Sequence, residues 1–160
     1  MAEWYHAPME HSLRSLIDLA AEARRFVAGL CPPPSGLPAG RQGATFITLS
    51  GELGAGKTAF VQEVARALGV EEVVTSPTFV LEKIYQLPPG KPFQRLIHID
   101  AYRLAGGREL ISLGMDELME DAGNLVLLEW PEKVKDMLPE PSMRVTMKAL
   151  PDGSHSISYG

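Results

Sequence analysis

Residues 51–58 read Gly51-Glu52-Leu53-Gly54-Ala55-Gly56-Lys57-Thr58, which is a complete G-x-x-x-x-G-K-[ST] phosphate-binding loop. Glycines at this spacing let successive backbone N–H groups point into one concavity that holds an anion. The lysine of such a loop lies near the β- and γ-phosphates of a nucleotide, and the threonine hydroxyl faces Mg²⁺. The sequence therefore predicts nucleotide binding by residues 52–58, with Lys57 on the phosphates and Thr58 on the metal.

The flanks of the loop support this interpretation. Residues 44–50, which precede the loop, are rich in β-formers, as a buried strand would be. Residues 59–68 place apolar side chains on one helical face, and Gly69 follows them. Strand, loop and helix in this order are the phosphate-binding supersecondary unit.

The rest of the chain reads as a mixture of helices and strands. A first helix is predicted over residues 13–30 with Ser12 as its N-cap, and residues 31–43, which hold four prolines and three glycines, are predicted to be a surface loop. The wholly apolar run at residues 125–128 is typical of a central parallel strand. The remaining predictions are hairpins over 79–87 with 93–99 and over 143–150 with 155–159, short helices over 107–113 and 115–121, and a helix over 131–138 that begins with proline.

Length and composition limit the class of protein. The chain has 160 residues, of which 45% are hydrophobic and 22% charged, so we expect one soluble globular domain over residues 1–160. The net charge of −5 argues against a broad basic surface for nucleic acid. The single cysteine, Cys31, excludes an intramolecular disulfide. Residues 1–9 contain no apolar core, so we expect no secretory leader. No apolar run reaches membrane length, and we expect a cytoplasmic protein without membrane contact.

Two acidic residues follow strand-like runs. Glu129 comes directly after the apolar run 125–128, in the pattern of an acid that holds Mg²⁺ or its water beside a phosphate-binding loop. Asp100 ends the run 96–99, and the carboxyl ends of parallel strands are where α/β proteins bind ligands. The structural alternatives are a helix cap for Glu129 and a turn or helix cap for Asp100.

Other polar and aromatic residues near these acids have two interpretations each. His98 alternates with two isoleucines, which favours packing on one sheet face over catalysis. Arg103 could contact phosphate or form a surface ion pair. Trp130 could stack on a base or partner, or be packed in the core. Thr78, after Pro77, could sense the γ-phosphate or form a local turn.

Four motifs in this order resemble one known family. They are the loop 51–58, Ser76-Pro77-Thr78-Phe79, His98-Ile99-Asp100-Ala101-Tyr102-Arg103-Leu104 and Leu128-Glu129-Trp130-Pro131-Glu132. Together they resemble the TsaE (YjeE) family, small bacterial P-loop ATPases of tRNA threonylcarbamoyladenosine (t6A) biosynthesis. The resemblance covers nearly the whole chain.

The resemblance implies function beyond the residue chemistry. It implies that the protein binds ATP and hydrolyses it to ADP with Mg²⁺. It also implies that this hydrolysis supports a TsaB–TsaD pair, which modifies adenosine 37 of tRNAs reading ANN codons. The protein would then reach tRNA only through that pair. The resemblance also implies Thr58 and Glu129 as Mg²⁺ ligands, Lys57, Asp100 and Glu129 as catalytic residues, and Lys133 near the nucleotide. Two departures are the long proline-rich segment 31–43 and a leucine, Leu13 or Leu16, where relatives carry a threonine near the adenine.

We therefore expect a three-layer α/β fold of the P-loop NTPase kind, with a mostly parallel central sheet and antiparallel additions. The expected function is a weak, partner-stimulated, Mg²⁺-dependent ATPase. One alternative is a small-molecule kinase in which Asp100 is the base for an acceptor hydroxyl. A second alternative is a nucleotide-gated binding module with negligible hydrolysis. A guanine-specific GTPase is disfavoured because no Asn-Lys-x-Asp motif occurs.

Overall fold

The computed structural model describes residues 9–30, 43–77 and 80–160. Its centre is a seven-stranded sheet in the order β1-β7-β6-β2-β5-β4-β3. The strands are β1 Met9–Leu13, β2 Thr45–Ser50, β3 Glu82–Gln86, β4 Arg95–Asp100, β5 Asn124–Glu129, β6 Met143–Ala149 and β7 His155–Tyr159. The helices are α1 Leu16–Leu30, α2 Lys57–Ala67, α3 Arg108–Ser112 and α4 Met115–Glu120.

The middle of the sheet is parallel. Strand β2 pairs in parallel with β5 on one side and with β6 on the other, and β5 pairs in parallel with β4. All six residues of β5 are buried, as expected for an apolar strand covered on both faces. The register places Glu129 beside Leu49 and beside Asp100, so both predicted acids lie at the same edge of the sheet.

The outer strands are antiparallel. Strands β3 and β4 form the predicted hairpin, and β6 and β7 form the other. Strand β1 pairs antiparallel with β7 and forms one edge of the sheet. The prediction of a mostly parallel sheet with antiparallel additions is confirmed.

Helices cover both faces of this sheet. Helices α1 and α2 pack on one face, where the apolar cluster includes Phe26, Phe60, Leu49 and Leu127. Helices α3 and α4 pack on the opposite face, around Phe46, Ile99, Leu110 and Met115. Two apolar faces of one sheet, each closed by helices, give the predicted three layers. Within the described residues, no helix combines the length and the apolar character needed to cross a membrane.

The start of the first helix was predicted wrongly. Residues 9–13 form β1, and α1 begins at Leu16. Leu13 has helical spacing with the residues after it, but its strand pairs with β7, a long-range contact that periodicity does not reveal. Ser12 is therefore not the N-cap; the Oγ of Ser15 accepts a hydrogen bond from the N–H of Asp18 at 3.2 Å.

The helix predicted over 131–138 is also wrong. Only a 3-10 helix, Pro131–Lys133, forms there. The following residues turn instead, and Asp136 accepts a hydrogen bond from the N–H of Gly107 at 3.2 Å, which ties this segment to the start of α3. The predicted loop 31–43, apart from Gly43, and Thr78 and Phe79 lie outside the described residues.

Candidate nucleotide-binding site

The phosphate-binding loop joins β2 to α2 and depends on its glycines. Gly54 and Gly56 have φ of 83° and 98°, a left-handed conformation that a side chain disfavours. At Gly51 an added Cβ would lie 2.4 Å from the carbonyl oxygen of Met147 on β6. The chain can therefore curl tightly above the sheet edge and point the N-terminus of α2 at the space above it, as an anion site requires.

Lys57, the first residue of α2, is buried inside this curl. Its Nζ donates to the carbonyl oxygens of Gly51 and, at 3.0 Å, Glu52. The same ammonium lies 4.0 Å from the ring centroid of Trp130, a cation–π distance. Burial lowers the pKa of Lys57, and the charges of Glu129, Glu132 and Asp100 oppose that shift. Among the residues that the structure describes, the contacts of this desolvated ammonium are thus with neutral groups, two carbonyl oxygens and an indole ring.

Glu129 meets the hydroxyl of the loop's last residue. The Oγ1 of Thr58 donates towards the two carboxylate oxygens of Glu129, at 2.9 Å to Oε1 and 3.2 Å to Oε2. Glu129 is 1% exposed and ends the central strand β5. A buried carboxylate beside a hydroxyl supplies the hard oxygen ligands that Mg²⁺ prefers.

Asp100 lies on the neighbouring strand in register with Glu129. Its Oδ1 accepts the N–H of Tyr102 at 2.9 Å, the contact that the turn interpretation predicts. It is nevertheless one of the residues that line the cavity in front of the loop. Both interpretations of Asp100 are therefore compatible, since one carboxylate can brace its own turn and still face the cavity.

Trp130 follows Glu129 in a left-handed conformation, with φ of 61° and ψ of 52°. Such a conformation is uncommon for a large side chain. The N–H of Trp130 donates to the carbonyl of Leu49 at 3.2 Å, and its ring lies 4.9 Å from that of Tyr102. Lys133 lies further out, with Nζ 5.6 Å from the Tyr102 ring centroid. The turn at Trp130 therefore places an aromatic wall beside Lys57.

These residues surround one cavity of about 380 Å³. Lys57 is the one basic residue among those that line it in the described part of the chain. The acids Asp100 and Glu129 lie opposite. The lining consists of Leu53, Gly54, Gly56, Lys57, Thr58, Ala59, Ser76, Asp100, Tyr102, Glu129 and Trp130.

A second, more apolar cavity of about 230 Å³ adjoins the first. The two cavities share Gly56 and Ala59. The second is lined by Leu13, Arg14, Ser15, Leu16, Leu19, Ala55, Gly56, Ala59, Met147, Gly153 and His155. The Nε2 of His155 lies 3.2 Å from the carbonyl oxygen of Gly54. An elongated ligand with one anionic and one apolar end would fit across the two spaces.

The predicted site residues are thus largely brought together. Lys57, Thr58, Asp100 and Glu129 share the first cavity. Glu52 contributes a carbonyl to Lys57, Ala55 lines the second cavity, and Lys133 lies beside Tyr102 and outside the lining of both. Sequence analysis gave no role to His155 or Tyr102.

The donor set can hold a metal only with help from a ligand. Among the residues that the structure describes, no three His, Cys, Asp or Glu side chains are placed to hold a metal ion together. Mg²⁺ is commonly bound by one or two protein oxygens with phosphate oxygens and water. Thr58 and Glu129 fit that requirement.

Comparison with known proteins identifies the family of this chain. The profile of the family described as "Threonylcarbamoyl adenosine biosynthesis protein TsaE" matches residues 19–157. The chain belongs to the TsaE family. The tRNA threonylcarbamoyladenosine biosynthesis protein TsaE of Rickettsia prowazekii is 36% identical to it over 141 residues, which are 88% of this chain and 86% of the relative.

Other relatives carry the same name. The TsaE protein of Treponema pallidum is 38% identical over 70% of this chain and 78% of its own length. That of Bacillus subtilis is 35% identical over 71% of this chain and 67% of its own. The crystal structure of Bacillus subtilis YdiB superposes with a TM-score of 0.69 and 25% identity, covering 96% of this chain and 86% of that one. The fold and the family membership therefore agree, and the family's name places the chain in t6A biosynthesis.

Proposed function

We propose that this member of the TsaE family is a Mg²⁺-dependent ATPase that supports t6A modification of tRNA. The observation that carries the proposal is the convergence of Lys57, Thr58 and Glu129 on one cavity at the N-terminus of α2. Cation, hydroxyl and carboxylate in a glycine-lined loop match the needs of a nucleotide phosphate and its metal.

The phosphates would occupy the loop cavity. There the ammonium of Lys57 would exchange its contacts with the Gly51 and Glu52 carbonyls for contacts with phosphate oxygens. This exchange is favourable because an ionic partner binds a desolvated cation more strongly than a neutral carbonyl does. The nucleoside end would lie in the adjoining apolar cavity, between Leu16 and Met147.

When bound, Mg²⁺ would supply positive charge to the phosphate oxygens while the γ-phosphoryl group is transferred to water. Thr58 and Glu129 would hold the metal. Asp100, which lies at the same sheet edge, would orient a water molecule. Within the described residues, Lys57 is the one positively charged side chain that lines this cavity. Little pre-positioned positive charge is therefore available to stabilise the phosphoryl group during its transfer. Slow turnover by the isolated chain follows from that scarcity.

The proposed partner is the TsaB–TsaD pair, through which the protein would reach tRNA. The name of the family links the chain to this modification. The net charge of −5 supports an indirect rather than a direct role at tRNA, since direct binding is favoured by a basic surface. A kinase is less well supported. Its phosphoryl acceptor would need a further site, and the second cavity is apolar and lies on the nucleoside side.

Replacing Lys57 by alanine tests the assignment. A charge-assisted hydrogen bond contributes about 1.5–3 kcal/mol, so Lys57→Ala should weaken ATP binding by about tenfold or more without unfolding the protein. The measurement is titration calorimetry of ATP into each variant. The matched control is Lys135→Ala, an exposed lysine, which should bind like the unaltered protein. Equal ATP affinity in the two variants would refute the nucleotide site.

A further inference from the structure

His98 is a buried polar side chain that the proposed mechanism does not use. It lies on β4 two residues before Asp100, so the alternation of a strand places both side chains on one sheet face. The side chain of His98 is 0% exposed. Sequence alternation predicted this burial correctly, but it left the partner of the imidazole unidentified.

The partner is the carboxylate of Glu129. The Nε2 of His98 lies 2.9 Å from Oε2 of Glu129, and its Nδ1 has no hydrogen-bond partner among the described residues. A carboxylate only accepts, so Nε2 must carry a proton that it donates to Glu129. Nδ1, an acceptor in this tautomer, is then buried without a partner among the described residues. An unpaired buried polar atom is energetically costly, and an apolar side chain packed at this position would avoid that cost.

Two donors therefore fix the Glu129 carboxylate from two sides. Thr58 donates from α2 and His98 donates from β4. If His98 were absent, the Oε2 side of the carboxylate would lose its donor from the β4 side and the side chain could rotate. Thr58 alone does not set the rotation, because its hydroxyl lies within 3.2 Å of both oxygens.

We propose that His98 is a positioning residue, which orients Glu129 so that its carboxylate meets the metal of the nucleotide complex. This inference rests on the proposed function. Outer partners that orient a metal-binding side chain typically change metal affinity or activity by about 10- to 100-fold when removed. His98 acts through Glu129 and touches neither nucleotide nor metal.

The matched variants are His98→Gln and His98→Leu. The amide of glutamine can place an N–H donor close to the position of the imidazole Nε2, whereas leucine fills similar space with no donor. A donor role predicts that His98→Gln keeps the effect of Mg²⁺ on nucleotide affinity and that His98→Leu loses it. A role in packing alone predicts the reverse or no difference, since leucine suits an apolar sheet face better than glutamine does.

The test measures the effect of Mg²⁺ on nucleotide affinity. The dissociation constant of a non-hydrolysable ATP analogue is determined by calorimetry in EDTA and in excess Mg²⁺, and the ratio of the two constants is the magnesium gain. We expect His98→Leu to retain the EDTA affinity and to lose about tenfold of the gain, and His98→Gln to stay within about threefold of the unaltered protein. Thermal melting shows that each variant is folded, and His98→Asn, whose amide is too short to reach Glu129, replaces the leucine variant if that one unfolds.

The outcomes separate this inference from the proposed function. An unchanged magnesium gain in His98→Leu, or an equal loss in His98→Gln and His98→Leu, overturns the positioning role alone. If the unaltered protein binds no nucleotide in either condition, the proposed function falls and the inference falls with it.

Discussion

At the scale of single residues, Glu129 links three elements of the fold. Its carboxylate accepts hydrogen bonds from α2 and β4, and its backbone carbonyl accepts the N–H of Ala101 at 3.0 Å. Burying a carboxylate is costly unless its oxygens are hydrogen-bonded. The two side-chain donors offset that cost and keep an anion ready at the sheet edge.

Glu129→Gln should separate nucleotide binding from hydrolysis. The amide keeps the shape but removes the negative charge, so ATP affinity measured in EDTA should change by no more than a few-fold. The magnesium gain should fall by at least as much as in His98→Leu, and phosphate release should fall by about 100-fold. Release of inorganic phosphate in Mg²⁺ is the measurement. Glu132→Gln, an exposed carboxylate nearby, is the control and should remain active. Persistent hydrolysis in Glu129→Gln would make Asp100 the leading metal-site acid.

The residues of the site were predictable to different degrees. The loop motif identified Lys57 and Thr58, because the spacing of glycine, lysine and threonine follows directly from how such a loop holds phosphate and metal. Glu129 and Asp100 were found from apolar runs that end in an acid. The contact of His98 with Glu129 and that of His155 with Gly54 were not, because they depend on the register of strands far apart in the chain.

At the scale of elements, a buried hydrogen-bond network attaches α1 to the antiparallel edge of the sheet. The hydroxyl of Tyr159 on β7 donates to Oε1 of Glu22 on α1 at 2.6 Å. His11 on β1 lies 3.8 Å from Oε2 of Glu22. The first turn of α1 lines the second cavity through Leu16, so this attachment also helps to hold the proposed nucleoside end of the site.

Tyr159→Phe should destabilise the fold in a pH-dependent way. Loss of the donor to buried Glu22 should cost about 1–3 kcal/mol at neutral pH. Burial, followed by the contact with Glu22, raises the pKa of Tyr159 above its usual 10.0. The unfolded state therefore loses this proton at lower pH than the folded state, so the stabilisation is complete below about pH 10 and declines above it.

Urea unfolding at pH 7 and at pH 10.5 checks this expectation. The difference in unfolding free energy between the unaltered protein and Tyr159→Phe should shrink at the higher pH. Tyr102→Phe is the control. Tyr102 is 43% exposed, so removal of its hydroxyl should change the unfolding free energy little at either pH. A difference that stays constant or grows with pH would contradict the role assigned to the hydroxyl.

The elements were predictable where local pattern and tertiary partner agree. The strand, loop and helix of residues 44–68 and both hairpins carry their own turn residues and periodicity. Strand β1 does not: it is a stable strand only because β7 offers it an edge. The segment after the short 3-10 helix at Pro131 likewise does not continue as the helix that local pattern favours, and Asp136 there accepts a hydrogen bond from Gly107, just before α3.

At the scale of the whole molecule, the border of the site is formed by segments that carry exposed apolar side chains. Leu53 in the loop and Val73 after α2 are 78% and 81% exposed. Ser76, three residues after Val73, lines the cavity. A partner that covers this border would exclude water from the phosphates and could add positive charge where the described part of the chain offers only Lys57.

The last prediction therefore concerns the partner. The isolated protein should hydrolyse ATP slowly, and the TsaB–TsaD pair should stimulate it and bind it more tightly with ATP than with ADP, because segments beside a γ-phosphate become ordered on it and relax after hydrolysis. Phosphate release with and without the pair, and co-purification in each nucleotide, are the measurements.

Asp100→Ala and Thr78→Ala should blunt stimulation while ATP binding persists. Full-rate hydrolysis by the chain alone, together with equal partner binding in both nucleotides, would contradict a switch. In that case this chain alone would supply every group that ATP hydrolysis needs, and the scarcity of positive charge in the cavity would not limit the rate.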